Sequence, residues 1–131
     1  MFKIKLSLVL LSVFIILGCG KNSDALLAEK AGAPLLTGLG NHSHNISSNI
    51  YGVQRYFNQG MIMAFAFNHA VSIRIFKAAQ KLDPNCAMCF WGEALALGPN
   101  INVNSDGKVI MAPQNRVAAF KAINKAIALS E

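Results

Sequence analysis

The sequence predicts an all-α fold. Three observations carry this. Apolar residues recur at spacings of three and four from about residue 50 to 97 and again after 113. No segment alternates apolar and polar side chains as a half-buried strand would. The periodic stretches are separated by helix-stopping clusters such as Asp83-Pro84 and Gly98-Pro99-Asn100.

The elements follow in order. Lys3 and Lys5 form a short basic start, Leu6 to Leu17 is an apolar run interrupted only by Ser7 and Ser12, and Gly18-Cys19 closes it. As a helix that run would be about 18 Å long, too short for a hydrocarbon core of roughly 30 Å, so its length and flanks fit a signal peptide better than a membrane span. Residues 19–49 are expected to be a tether and loop. Lys21-Asn22-Ser23-Asp24 is polar, Ala25 to Ala31 suits a short helix that Gly32-Ala33-Pro34 would stop, and Thr37 to Ser48 is rich in Gly, Asn, Ser and His without periodicity.

The folded domain is expected over residues 50–131. Tyr56, Gly60, Met63 and Phe67 mark one stripe of its first helix, and Phe57, Met61 and Phe65 mark the neighbouring one. A helix apolar around so much of its circumference must be covered on more than one side. A second helix, from about Ala70 to Leu82, turns Ile73, Phe76, Ala79 and Gln80 inward and Arg74, Lys77 and Lys81 outward. It should end at Asp83 because the residue before a proline is pushed out of the α region. Asn85 is the expected N-cap of a third helix, Cys86 to Leu97, and Pro113 or Gln114 opens a fourth that runs to the end of the chain.

Without residues 1–18 the chain keeps 113 residues, one small domain, and ten Lys and Arg against six Asp and Glu, a formal charge of +4. The pairs Lys77/Lys81 and Lys121/Lys125 read as solvated helix faces. No basic stripe with interleaved aromatics argues for nucleic acid. No nucleophile–base pairing, phosphate loop or close carboxylate pair appears, so no enzyme chemistry and no cofactor is expected.

Ile16-Leu17-Gly18-Cys19 resembles the lipobox of bacterial lipoproteins, although that pattern prefers Leu three places before the cysteine and a small residue two before. The resemblance implies cleavage before Cys19, lipidation of its thiol and amine, and a mature protein held outside the cytoplasm in the cell envelope. Several acyl chains hold a protein to a membrane far more firmly than one. Gly20 rather than Asp follows Cys19, which in a host with two membranes implies the outer one. The competing readings are an ordinary secretory signal containing a chance cysteine and an uncleaved anchor.

Tyr56, Gly60, Phe76, Ala79 and Pro84 resemble the tetratricopeptide repeat (TPR), which places an aromatic, a small residue, an aromatic, an Ala and a Pro at these separations. Phe90, Trp91 and Ala94 match the first helix of a second unit. Ala119, Ile123, Ala126 and Leu129 match its second helix after an insertion of about 13 residues between Gly98 and Ala112. The run Leu82 to Asn102 is similar to a group of exported bacterial repeat proteins of unassigned activity. The implied fold is a helix-turn-helix α-solenoid of about two repeats. A solenoid generally needs about three repeats to bury its faces, so the pattern implies a truncated chain, an N-terminal fragment or dependence on a partner.

In that family the inner faces of the first helices line a groove that holds peptide segments. Carried over residue by residue, the groove is Phe57, Met61 and Phe65 from one unit and Met88, Trp91 and Leu95 from the next. So apolar a surface either binds a hydrophobic segment or is covered by residues 25–50 folding back. Cys86 and Cys89 form the one remaining constellation. With Cys19 assigned to lipid, an even pair in an oxidising compartment makes them a candidate disulfide. At a helix start the pair could also serve redox chemistry or contribute to a metal site, but the thioredoxin βαβ frame, the His after the second Cys that covalent haem needs, and two further zinc ligands are all missing. The two functions that follow are a lipid-anchored, non-enzymatic module binding an envelope protein or peptide, and a thiol- or metal-handling envelope protein using Cys86/Cys89.

Overall fold

The structure, a computed structural model, describes residues 23–99 and 111–131. The signal-peptide and lipidation readings, Cys19 included, lie outside the described residues, as does most of the expected insertion after Gly98. The described residues form five helices and no strand: α1 (Ser23–Ala31), α2 (Val53–Phe65), α3 (His69–Leu82), α4 (Ala87–Leu97) and α5 (Pro113–Ser130). The all-α expectation holds. None of the described helices is both long and apolar enough to cross a membrane.

Successive helices pack in pairs, α2 on α3, α3 on α4 and α4 on α5, while α2 also touches α4 and α1 lies on α3. The turn between α2 and α3 is made by Phe67 in the left-handed region (φ 59°). That conformation lets the Asn68 amide donate back to the Met63 carbonyl, and the Asn68 side chain then caps α3 by accepting from the Val71 amide. Because α2 ends at Phe65, its two apolar stripes part company: Tyr56, Phe57, Met61 and Met63 are buried, whereas Phe65 and Phe67 are exposed. Along α3, Arg74, Lys77 and Lys81 face solvent and Phe76 and Ala79 are buried, as the spacing predicts; Ile73 and Gln80 are only half-buried, and Ser72, Ile75, Ala78 and Leu82 complete the buried face instead.

Phe76 is the keystone of this packing. Its ring is fully buried and stands edge-on to Phe57, with centroids 5.7 Å apart. Glycines of two helices flank it. A Cβ added to Gly60 of α2 would lie 2.8 Å from its ring, and one added to Gly92 of α4 would come 2.6 Å from Cδ1 and closer still to Cε1. The absent side chains are what let α2 and α4 close over the ring. Ser72 stands where the repeat pattern has Ala, and its hydroxyl donates to the Gly60 carbonyl at 2.7 Å, so the substitution is satisfied without loosening the helix contact.

The folded body does not begin near residue 50. Leu27 and Ala31 of α1 belong to the same buried cluster as Val53, Tyr56, Ala79 and Leu82, with Ala33, Leu35 and Ile46 packed against it. Gly52, at φ 87°, allows this approach: a Cβ there would overlap the Leu27 side chain. Arg55 donates through both terminal nitrogens to the Asp24 carboxylate at 2.6 and 2.9 Å, tying α2 to the start of α1. Those bonds hold the Asp24 carboxyl below its ordinary range, so this exposed tie is present above that range and is lost as pH falls through the lowered value. The boundary placed after residue 49 therefore separates periodic from aperiodic sequence, not folded from unfolded chain.

Candidate functional site

One side of α2 carries three carboxamides, and the chain from Pro34 to Ile46 lies across them. Gln59 donates through Nε2 to the Pro34 carbonyl at 3.0 Å and accepts from the Leu36 amide at 2.8 Å. Gln54 repeats the arrangement five residues earlier, donating to the His44 carbonyl at 2.8 Å and accepting from the Ile46 amide at 3.0 Å. Between them Asn58 accepts from the His44 amide at 3.3 Å and donates to the Ser43 hydroxyl at 3.0 Å. Each glutamine thus satisfies the C=O of residue i and the N–H of residue i+2, the two groups that an open chain presents on one side. Gln59 is only 4% exposed, and its full use of both ends is what makes a buried amide affordable. The fully buried Tyr56 adds a bond from its hydroxyl to the Ala33 carbonyl at 2.6 Å, and burial pushes its phenol pKa up.

This covering segment decides the fate of the expected groove. Phe57 is fully buried and Met61 nearly so, in a cluster with Phe76 and Ala96 against which Ile46, Met88 and Trp91 pack. The His44 ring sits 6.2 Å from that of Phe57. Phe57 and Met61 therefore do not line an open groove, which corrects their placement: residues 33–46 fold back over that side, the other of the two outcomes the sequence allowed. Met88 and Trp91 are half-buried at the rim, and Phe65 and Leu95 are exposed, at 71% and 43%. A second exposed apolar stripe, Val117, Phe120 and Ile127, runs along the outer side of α5. The inner side of α5 has Ala122 and Ala126 buried and Ala119, Ile123 and Leu129 half-buried.

Cys86 and Cys89 are joined in a disulfide. Cys86, not Asn85, is the N-cap of α4, and its sulfur accepts from the Cys89 amide at 3.1 Å. Asn85 instead donates its amide to the Asp83 carboxylate, which also accepts from the Ser48 hydroxyl. Both cysteines are buried, at 5% and 0% exposure, so an attacking thiolate would have to reach a covered sulfur. The arrangement suits a pin for the start of α4. The double variant Cys86→Ala, Cys89→Ala is expected to keep its helical circular dichroism and to lose stability at the low end of the roughly 0–5 kcal/mol range, since so small a loop constrains the unfolded chain little. Denaturant melts of the two proteins check this.

Farther along α4, Glu93 is buried and accepts from Gln80 Nε2 at 2.7 Å, with Lys77 Nζ at 3.5 Å. It is a polar pin between α3 and α4, and sequence reading did not single it out. His69 at the start of α3 has neither ring nitrogen bonded among the described residues. Among those residues no three His, Cys, Asp or Glu side chains gather as a metal site.

The class defined by these observations is an all-helical body whose α2 edge holds non-helical chain by side-chain amides. Comparison with protein-family models, with curated proteins and with solved structures finds no match.

Proposed function

We propose that the protein is a lipid-anchored, non-enzymatic interaction module of the bacterial cell envelope, built on two TPR-like helix pairs, α2/α3 and α4/α5. The arrangement is supported by the pairing of successive helices, by the contact of α2 with α4, and by glycines at the crossings on Phe76. The anchor rests on the basic start, short apolar run and Cys19. In a host with two membranes, Gly20 favours the outer one. The observation that carries the interaction reading is the carboxamide ladder of Gln54, Asn58 and Gln59, a surface that holds polypeptide chain chiefly by its main-chain groups. Phe65 at the end of α2 and Leu95 on α4 offer exposed apolar contacts to a protein or peptide partner.

The test joins anchor and surface. Cys19→Ser is expected to leave an unprocessed or soluble precursor; retention on carbonate-washed membranes with the wild-type mass would remove the lipoprotein reading. A photo-crosslinking residue at Phe65 or Leu95 in intact cells should give one discrete adduct that the same residue at Lys30 does not. Absence of adducts at both positions would remove the interaction reading.

A further inference from the structure

We infer that residues 34–46 are a resident ligand, seated in cis on the carboxamide ladder of α2, and that an extended peptide segment of a partner binds there by displacing them. The inference rests on the interaction reading and adds the nature of the partner and the way in. Three features of the segment support it. Its main-chain hydrogen bonds run to the side chains of Gln54, Asn58 and Gln59, and none runs to another main-chain group among the described residues. It can therefore lift away without breaking a helix. Every residue from Gly40 to Asn45 is exposed, and only Leu35, Leu39 and Ile46 within 34–46 are half-buried, so little apolar contact opposes opening. Gly38 and Gly40 adopt φ values of 77° and 82°, and a Cβ at either would meet nothing within 4 Å, a bend that ties the two seated stretches together with only Leu39 turned partly inward.

What the segment leaves behind defines the incoming chemistry. Two glutamines, each bonding a C=O and the N–H two residues on, require a chain that is open, not helical, at both places. The vacated place of Ile46, between the two buried clusters, takes a branched aliphatic side chain, and the Phe57 ring under His44 takes a flat one two residues earlier. The partner is thus a non-helical peptide with an aromatic or His at one position and Ile, Val or Leu two residues later. Its apparent affinity is reduced by the fraction of molecules whose own segment is seated.

The probe is a fluorescein-labelled synthetic peptide of residues 33–47, titrated into the full-length chain. Leu35→Ser with Ile46→Ser loosens the resident segment without touching the ladder, and should bind the peptide at least tenfold more tightly than the wild type. Adding Gln54→Ala and Asn58→Ala to that variant should reverse the gain. Equal binding by wild type and loosened variant, or none by a loosened variant whose circular dichroism is unchanged, overturns the proposal. Hydrogen exchange of the wild type decides the matter independently of folding of the variants. The amides of Leu36, His44 and Ile46 should exchange at least a hundredfold faster than those of Tyr56, Phe76 and Cys89; exchange in step with these core amides would make the segment part of the core and overturn the displacement. A peptide that binds as expected while Phe65 and Leu95 yield no adduct in cells would uphold the displaceable segment and count only against the wider interaction reading.

Discussion

Phe76→Ala is expected to destabilise the protein by about 3–5 kcal/mol, the range for truncating a fully buried aromatic. The ring fills the space that Gly60 and Gly92 leave open and meets the edge of Phe57. Neither glycine has a side chain to collapse into the void, and both belong to helix backbones that other contacts hold in place, so relaxation is limited and the loss should fall in the upper half of that range. Against a total of about 5–15 kcal/mol for a domain of this size, such a variant retains only part of its folding margin. Urea denaturation followed by circular dichroism checks it. A loss below about 1 kcal/mol would mean that the ring is not wedged between the two glycines.

The positions of the helices were legible in the sequence because the signals that set them are local. Apolar spacing placed α3 to α5 within a residue or two, with Asp83-Pro84 and Gly98 marking ends and Pro113 a start; α2, expected from near residue 50 through Phe67, is shorter at both ends. Phe76 and Ala79 on the inward face of α3, and its solvated lysines, followed from the same spacing; the rest of that face lies one position round, at Ser72, Ile75 and Leu82. Other features depend on contacts between distant parts of the chain and left no periodic trace. Gln54, Asn58 and Gln59 read as ordinary polar positions on a helix, and only the segment lying across them gives them a task. That segment in turn has no apolar rhythm, because side-chain amides and a few aliphatic contacts hold it. Hence Thr37 to Ser48, which includes most of it, reads as plain loop. Leu27 and Ala31 were hidden for a related reason: a nine-residue helix with two inward residues has too little pattern to announce a core contribution. Cys86 rather than Asn85 is the cap: the helix begins one residue later than expected, and the Cys86 sulfur takes the Cys89 amide. Gly60 and Phe76 are close-packing positions, as the repeat pattern has them, but that pattern alone left open whether Phe57 and Met61 would face a partner or be covered by the chain itself.

Gly92→Ala is expected to destabilise the wild-type protein by about 2 kcal/mol, although the same change in an exposed helix would stabilise by up to about 1 kcal/mol through backbone entropy. The sign reverses because the new methyl would overlap three atoms of the Phe76 ring, and overpacking a closed core costs about 1–3 kcal/mol and sometimes more. A ring at the end of a side chain can often swing aside, but this one is fully buried, lies close to Gly60 of α2 as well, and packs against Phe57. The overlap can therefore be relieved only by moving α4 away from α3, which would strain the Gln80–Glu93 bond as well. A double-mutant cycle isolates the cause. In a Phe76→Ala background there is no ring to meet, so adding Gly92→Ala should be neutral or stabilising, giving a coupling of about 2–3 kcal/mol, large for two residues in contact. If Gly92→Ala is equally damaging with and without the ring, the glycine is required by the path of α4 itself, and the wedge at the α2–α3–α4 junction is not what it serves.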